Sequence, residues 1–281
     1  MPPASSNDTV LDTTGKASFD DIYTRPDPTE YYARMSELDY LIPELAKPHF
    51  LQLIADHRAA TGIAAPTILD IGCSYGVNAA LMRLDVSMKE LSANYGTHET
   101  PELIARDRAL LAEHDELPGV RFIGMDSSAP ALDYGRAAGF LHDSVHADLE
   151  NAEPTEAQRR VLASADLVIS TGCVGYVTDR TLLRVARAHG GKLPWMAHFV
   201  LRMFSFDPIQ AQLATLGYRT ERAPGVFKQR RFASADEQSG VLNTLRANGI
   251  DTAGHESDGW LYAQLYLSRP PLNLSIEQDT H

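Results

Sequence analysis

The stretch Thr67–Gly76, with the sequence TILDIGCSYG, constrains the fold of this chain more than any other. Its first half is a short apolar run, which is typical of a parallel strand covered on both faces. Gly72 and Gly76 then permit a tight turn and leave room for a ligand to approach the backbone. A helix-forming segment follows at once. Since open α/β sheets bind ligands at such strand ends, the stretch predicts both a sheet and a site.

The spacing of the glycines distinguishes between ligands. A dinucleotide fingerprint, G-x-G-x-x-G, would need further glycines at positions 74 and 77, where the chain has Ser74 and Val77. Asp70, Gly72, Ser74 and Gly76 instead fill the pattern (D/E)-x-G-x-G-x-G, with serine at the middle glycine. The stretch therefore resembles motif I of the class I S-adenosylmethionine (SAM)-dependent methyltransferases. The alternative is a strand, turn and helix that bind no ligand.

Three later strand ends extend the resemblance. Asp126 ends a second apolar strand, and the resemblance implies that its carboxylate accepts hydrogen bonds from two ribose hydroxyls. Asp148 and Leu149 end a third strand, and the resemblance implies that these two residues contact the adenine of SAM. Thr171 and Gly172 end a fourth. The cofactor site implied for SAM comprises Asp70, Gly72, Cys73, Ser74, Gly76, Asp126, Ser127, Asp148, Leu149, Thr171 and Gly172.

The rest of the chain completes an α/β fold. Strands are predicted at 195–203, 226–232 and 260–267, with helices between them. The resemblance implies a Rossmann-like, seven-stranded sheet of order 3-2-1-4-5-7-6 with the last strand antiparallel. The predicted organisation is a disordered tail at 1–17, an N-terminal helical lid at 18–62, a SAM-binding domain at 63–270 with a helical insertion at about 84–119, and a C-terminal tail at 271–281.

Charge and composition limit the classes of partner that this chain is expected to bind. The net charge of −12 opposes binding to a phosphate backbone, so no nucleic-acid partner is expected. The Asp/Asn-Pro-Pro-Tyr/Phe element of nucleic-acid and protein amide methyltransferases is also missing after the fourth strand. No apolar run is long enough to span a bilayer, and the N-terminus lacks a signal-peptide pattern, which predicts a cytoplasmic protein without a membrane partner. Two cysteines, Cys73 and Cys173, form neither a disulfide framework nor a metal site.

The acceptor side is predicted from residues at strand carboxyl ends and in the N-terminal helices. The aromatic residues of the lid either face the site or pin the helices to the sheet. Arginines near the pocket mouth could clamp a carboxylate, or could pair with neighbouring acids. His198 is expected to be a core histidine. The substrate candidates are Tyr23, Tyr32, Tyr176, Arg202, Phe204, Arg230, Arg231 and His255, and the sequence assigns no catalytic base.

The pattern as a whole favours an enzyme that transfers a methyl group from SAM to an oxygen or nitrogen atom of a small molecule. A SAM-binding regulatory or scaffolding protein without turnover is the alternative. A nicotinamide oxidoreductase is less favoured because the G-x-G-x-x-G spacing fails.

Overall fold

The computed structural model describes residues 15–17, 19–96 and 98–271. Most of the predicted tails, 1–14 and 272–281, therefore lies outside the described residues. In the described part, the strands are β1 (Thr67–Ile71), β2 (Arg121–Asp126), β3 (Asp143–His146), β4 (Leu167–Thr171), β5 (Trp195–Leu201), β6 (Arg219–Arg222), β7 (Phe227–Arg231) and β8 (Trp260–Arg269).

Helices occupy both faces of the sheet these strands form. They are α1 (Asp20–Tyr23), α2 (Thr29–Glu37), α3 (Ile42–Thr61), α4 (Val77–Leu84), α5 (Met88–Ala93), α6 (Thr100–His114), α7 (Ala129–Ala137), α8 (Glu156–Leu162), α9 (Asp179–Ala188), α10 (Asp207–Thr215) and α11 (Ala235–Ala247). None of the helices described is both long enough and apolar enough to cross a membrane.

The sheet has the order β3-β2-β1-β4-β5-β8-β6, and β7 also pairs with β8. Strands β1 to β5 are parallel, and β8 is antiparallel to β5, β6 and β7. This confirms the predicted Rossmann-like order, with one difference in the number of strands. The strand predicted at 226–232 is β7, and β6 is an additional strand that was not predicted. The two pair with successive parts of β8. Strand β6 gave no sequence signal because its residues are mostly exposed.

Alternation along β1 divides the core between the two faces of the sheet. Ile68 joins the cluster formed with α2, α3 and α4, whereas Leu69 and Ile71 join the cluster that includes α9 and α10. Asp70 therefore points to the same face as Ile68, where α4 begins. It is wholly buried there.

Helix α3 contains two prolines. It starts at Ile42, directly before Pro43, and continues through Pro48. One face carries Ile42, Ala46 and Phe50 into the core across both prolines, so burial outweighs the hydrogen bond that Pro48 cannot donate.

The insertion at 84–119 contains α5 and α6 and supports the N-terminal helices from behind. The rings of Tyr32 and Tyr95 stack at 4.4 Å, and Thr100 donates a hydrogen bond of 2.6 Å to Asp27. A carboxylate at Asp107 accepts hydrogen bonds from Tyr95 and Tyr134, which ties α6 to α7.

His198 lies in the middle of β5 with no exposed surface. Its Nδ1 is hydrogen-bonded to the Ser170 hydroxyl at 2.8 Å, while its Nε2 has no partner among the described residues. Burial lowers the pKa of His198 to about 3, so the folded protein keeps this ring neutral at neutral pH. The position agrees with the predicted core histidine.

The lowered pKa of His198 should make the free energy of unfolding depend on pH. Below about pH 6.5 the unfolded chain binds a proton at His198 that the folded chain does not bind, so folding loses about 1.4 kcal/mol per pH unit from this group as the pH falls towards 3. Urea unfolding at pH 7, 6 and 5 should therefore show a shallower acid loss for His198→Asn than for the wild type. The surface variant His114→Asn should follow the wild type. Parallel curves for His198→Asn and wild type would contradict the assignment.

Candidate functional site

A cavity of about 720 Å³ opens at the carboxyl ends of β1, β2 and β4. One wall is the turn after β1 together with the segments that follow β2 and β3. The rest of the lining comes from residues 16–17 and 19–24, from α2, from the segment after β4 and from β7. The volume lies within the range of small-molecule pockets.

The turn after β1 has the backbone conformation that a glycine-rich motif supplies. Gly72, Ser74 and Gly76 all adopt positive φ, at 67°, 51° and 83°. Ser74 thus takes the left-handed conformation at the position where the motif has its middle glycine. A serine there is strained relative to glycine, but it brings a hydroxyl to the cavity wall. That hydroxyl is buried and has no hydrogen-bond partner in the described part of the chain.

The glycines of this turn make room for protein side chains. A Cβ on Gly72 would lie 2.7 Å from the Cβ of Cys173, and one on Gly76 would lie 3.2 Å from the Cβ of Phe140. Close packing therefore explains both glycines without a ligand, contrary to the expectation that they leave space for one. Gly72 still lines the cavity, whereas Gly76 does not.

Asp126 connects the two turns at this edge of the sheet. Its Oδ2 accepts a hydrogen bond of 2.9 Å from the Ser74 amide, and its Oδ1 accepts one of 2.9 Å from the Ser128 amide. Burial raises the pKa of Asp126, and these amide hydrogen bonds oppose the rise. The Ser127 backbone also hydrogen-bonds to this carboxylate, which lines the cavity and keeps acceptor capacity for a ligand hydroxyl.

Asp70 does not line the cavity, because Asn78 stands between it and the pocket. The Nδ2 of Asn78 donates to both carboxylate oxygens of Asp70 at 3.1 Å and to Thr171 Oγ1 at 3.2 Å. Burial raises the pKa of Asp70 to about 8, although the hydrogen bonds from Asn78 lower it. The Oδ1 of Asn78 is buried without a partner among the described residues. The buried Asp70 therefore fixes the orientation of the Asn78 side chain, whose Oδ1 remains available as a hydrogen-bond acceptor.

The segment after β3 supplies an apolar residue and two acids. Leu149 is buried at the cavity wall, and Asp148 is exposed beside it. Asp148 accepts hydrogen bonds from the Glu150 amide and from the Asn151 side chain. Glu150 accepts hydrogen bonds from the backbone and hydroxyl of Thr178, which ties this segment to the start of α9.

Most of the predicted cofactor residues line this one cavity. Those that do are Gly72, Cys73, Ser74, Asp126, Ser127, Asp148, Leu149, Thr171 and Gly172. Burial raises the pKa of the Cys173 thiol to about 12, so this cysteine next to the turn is an apolar filler in the folded protein. Among the described residues no group of three or more His, Cys, Asp or Glu side chains could hold a metal ion.

The predicted substrate residues divide into two groups. Tyr23, Tyr176 and Arg230 line the cavity. Tyr32 does not, because its ring is buried against Tyr95 in the insertion. Phe204 does not either. Its ring fills the space beside Gly175, where a Cβ would approach it to 2.4 Å.

Ion pairs explain why the predicted arginine clamp is absent from the cavity wall. Arg202 pairs with the buried Glu256 at 2.7 Å, and Arg231 pairs with Asp39 at 2.6 Å. Neither arginine lines the cavity. His255 lies in a separate shallow groove beside Arg222. Arg230 reaches the cavity, but its guanidinium pairs with Glu237 at 2.6 Å.

Sequence reasoning missed several cavity residues. Asn78 offered a signal, since a buried helix start rarely carries a polar side chain without a reason. Gln229 offered none. A β-bulge between Lys228 and Arg230 leaves Gln229 as an extra residue against β8, so that Gln229 and Arg230 are both buried and both line the cavity.

No protein-family model matches the chain, and no curated protein matches it. Solved structures match in part. A plantazolicin methyltransferase in complex with SAH is 12% identical, with 89% of this chain and 93% of that chain covered and a TM-score of 0.42. A magnesium protoporphyrin IX methyltransferase from Synechocystis with bound SAM is 12% identical, with 79% of each chain covered and a TM-score of 0.37. A precorrin-6y C5,15-methyltransferase from Geobacter metallireducens is 12% identical, with 78% and 87% covered and a TM-score of 0.37. At these scores, none of the likenesses decides what the cavity binds.

Proposed function

We propose that this protein binds SAM in the cavity at the ends of β1 and β2 and transfers its methyl group to an oxygen or nitrogen atom of a small molecule. The observation that carries the proposal is the convergence of acceptor atoms on one cavity. The Asp126 carboxylate, the Asn78 Oδ1 and the Ser74 hydroxyl all belong to residues lining it. Two of these atoms are buried without a partner among the described residues, as expected for a site that a polar ligand completes.

Each part of SAM has a matching group on this wall. The Asp126 carboxylate suits a ribose diol, because it accepts two hydroxyl donors. The Asn78 Oδ1, with the Asp70 carboxyl behind it, suits an ammonium group. Leu149 offers an apolar surface for a flat ring, beside the exposed Asp148. The residues present therefore fit this group.

When bound, SAM supplies an electrophilic methyl group on a sulfonium sulfur that already is a good leaving group. The protein then has to hold the acceptor in line and keep water out. We assign both purposes to Phe19, Tyr23 and Tyr31, which line the cavity from the N-terminal segment and α2 and would form its cover. The small-molecule part of the proposal rests on this cover and on the net charge of −12, which opposes a nucleic-acid acceptor.

Binding and turnover experiments test the proposal separately. Calorimetry should detect binding of SAM and S-adenosylhomocysteine, and no comparable binding of NAD. Incubation with labelled SAM and a metabolite extract should then yield S-adenosylhomocysteine and a labelled product, which mass spectrometry can identify. Tight binding of NAD would overturn the cofactor assignment. Binding of SAM without turnover in such screens would favour the regulatory alternative.

The cover over the cavity should respond to the ligand. Because α1 and α2 contribute the cavity residues Tyr23, Tyr31 and Met35, amide hydrogen exchange across 20–37 should slow when S-adenosylhomocysteine is added. Helix α10 contributes no cavity residue, so its exchange should be unchanged. Equal exchange of residues 20–37 with and without the ligand would show that they do not act as a lid.

A further inference from the structure

One part of the cavity lining differs in chemistry from the residues around Asp126. Five aromatic residues line this side, from the N-terminal segment, from α2 and the turn after it, and from the segment after β4. They are Phe19, Tyr23, Tyr31, Tyr40 and Tyr176. We call this side the aromatic half. Ring faces on this scale favour a flat aromatic guest.

One carboxamide stands within the aromatic half. Gln229 is 2% exposed and lines the cavity. Its Oε1 is buried and accepts no hydrogen bond from the described residues. A buried amide oxygen without a donor costs free energy, which a ligand with a donor would recover. Because an amide is not basic, Gln229 can position and select a ligand but cannot take its proton.

Two features of the backbone direct this side chain to the cavity. The bulge in β7 turns Gln229 inward next to Arg230, instead of sending the two residues to opposite faces. Gly172 then leaves space at the end of β4. A Cβ on Gly172 would lie 2.7 Å from the Nε2 of Gln229 and 3.4 Å from the hydroxyl of Tyr40. The carboxamide and the phenol thus flank the end of the strand, where Tyr40 is also hydrogen-bonded to Thr171.

Three charged residues lie near the aromatic half. Lys16 lies 5.0 Å from the Tyr176 ring, and the other two, Arg230 and Glu150, also have protein partners. Arg230 is neutralised by Glu237 through two hydrogen bonds of 2.9 and 2.6 Å. The carboxylate of Glu150 accepts hydrogen bonds from the hydroxyls of Thr178 and Thr181. The binding free energy of a ligand here should come more from shape complementarity and a single hydrogen bond than from an ion pair.

We infer that the aromatic half binds the methyl acceptor, and that the acceptor is a flat aromatic compound whose N–H or O–H group donates a hydrogen bond to Gln229 Oε1. The inference rests on the proposed function, because the acceptor would bind beside the cofactor. Gln229 is then the specificity-determining residue of this half. Arg202 and Arg231 pair with their own acids and lie outside the cavity, so these two arginines do not hold the acceptor.

Indole and benzofuran are suitable probes, since they have the same shape and only indole has a ring N–H donor. With saturating S-adenosylhomocysteine, the wild-type protein should bind indole about fivefold more tightly than benzofuran, the value of one net hydrogen bond. Gln229→Leu should bind the two within about twofold of each other, while Gln229→Glu, which keeps an acceptor oxygen, should retain the preference. Gln264→Leu, on β8 and outside the cavity, should behave as wild type.

Several outcomes would overturn the inference. They are equal binding of indole and benzofuran to the wild type, no binding of either at millimolar concentration, an unchanged preference in Gln229→Leu, and tighter binding of indole-5-carboxylate than of indole. Calorimetry with S-adenosylhomocysteine alone, for each variant, separates the two proposals. Absence of that binding rejects the proposed function, whereas its presence without discrimination between the probes rejects only the aromatic-half inference.

Discussion

Replacing Asp126 with alanine is expected to weaken the binding of S-adenosylhomocysteine at least about tenfold, because each charge-assisted hydrogen bond contributes roughly 1.5–3 kcal/mol. The effect should be this large because Asp126 lines the cavity and its carboxylate keeps acceptor capacity for ribose hydroxyls. Calorimetry with the purified variant measures the change directly. The exposed Asp133 of α7 lies outside the cavity, so Asp133→Ala is the matched control and should bind as wild type does.

Comparing nucleosides with and without ribose hydroxyls distinguishes a loss of ribose binding from damage to the turns that Asp126 connects. The variant also loses the hydrogen bonds from the amides of Ser74 and Ser128. In competition with S-adenosylhomocysteine, the wild type should therefore prefer adenosine to 2′,3′-dideoxyadenosine, and Asp126→Ala should lose that preference. An equal loss of affinity for both nucleosides would mean that Asp126 only shapes the turns. Unchanged affinity for S-adenosylhomocysteine would remove it from the site.

Replacing Glu237 with alanine should lower the free energy of unfolding by about 3–5 kcal/mol, because it leaves the buried Arg230 without its counter-charge. The Glu237 carboxylate also accepts hydrogen bonds of 2.7 Å from the amides of Ala17 and Ala233. Burial raises the pKa of Glu237, but its hydrogen bonds and the charge of Arg230 outweigh burial, so the pKa lies below its ordinary value. This group therefore stabilises the fold at neutral pH, and its contribution is lost as the pH falls through that lowered pKa.

A double variant tests whether the unpaired charge causes the loss. In Arg230→Met/Glu237→Met both charges are gone, so urea unfolding should recover a large part of the stability that Glu237→Ala loses. The single variant should also speed amide exchange at Ala17, since its amide has lost its acceptor. If the double variant is as unstable as Glu237→Ala, the loss comes from the other hydrogen bonds and the packing of Glu237, not from an unpaired Arg230.

The first half of the site follows from local sequence. The apolar run of β1, the glycine spacing and the acid at the end of β2 act within a few residues, so pattern alone locates them. The pattern places Asp126 at a strand end, the resemblance implies its role in the site, and Asp126 lines the cavity. Ser74 shows the limit of such reasoning. The pattern treats it as a departure, but the backbone keeps the left-handed conformation there.

The second half of the site depends on contacts between distant parts of the chain. Arg231 pairs with Asp39, and Arg202 pairs with Glu256, so the predicted arginine clamp does not form. The side chain of Tyr32 is buried behind α2 against the insertion, where a cavity residue was expected. Hydrophobic periodicity indicates whether a side chain is buried or exposed, but it does not identify the residues that the side chain contacts.

The sequence by itself determined the parallel sheet, the edge at which the cavity opens and the acids at its strand ends, because strand and turn propensities are local. The resemblance supplied the order of the strands. Only the tertiary structure decided which residues face the cavity. The bulge in β7 turns Gln229 inward, and Gly172 leaves it room. Both effects depend on the register of β7 against β8 and on the distance between β4 and β7. Such distances are set when the strands pack together, and no spacing along the chain encodes them.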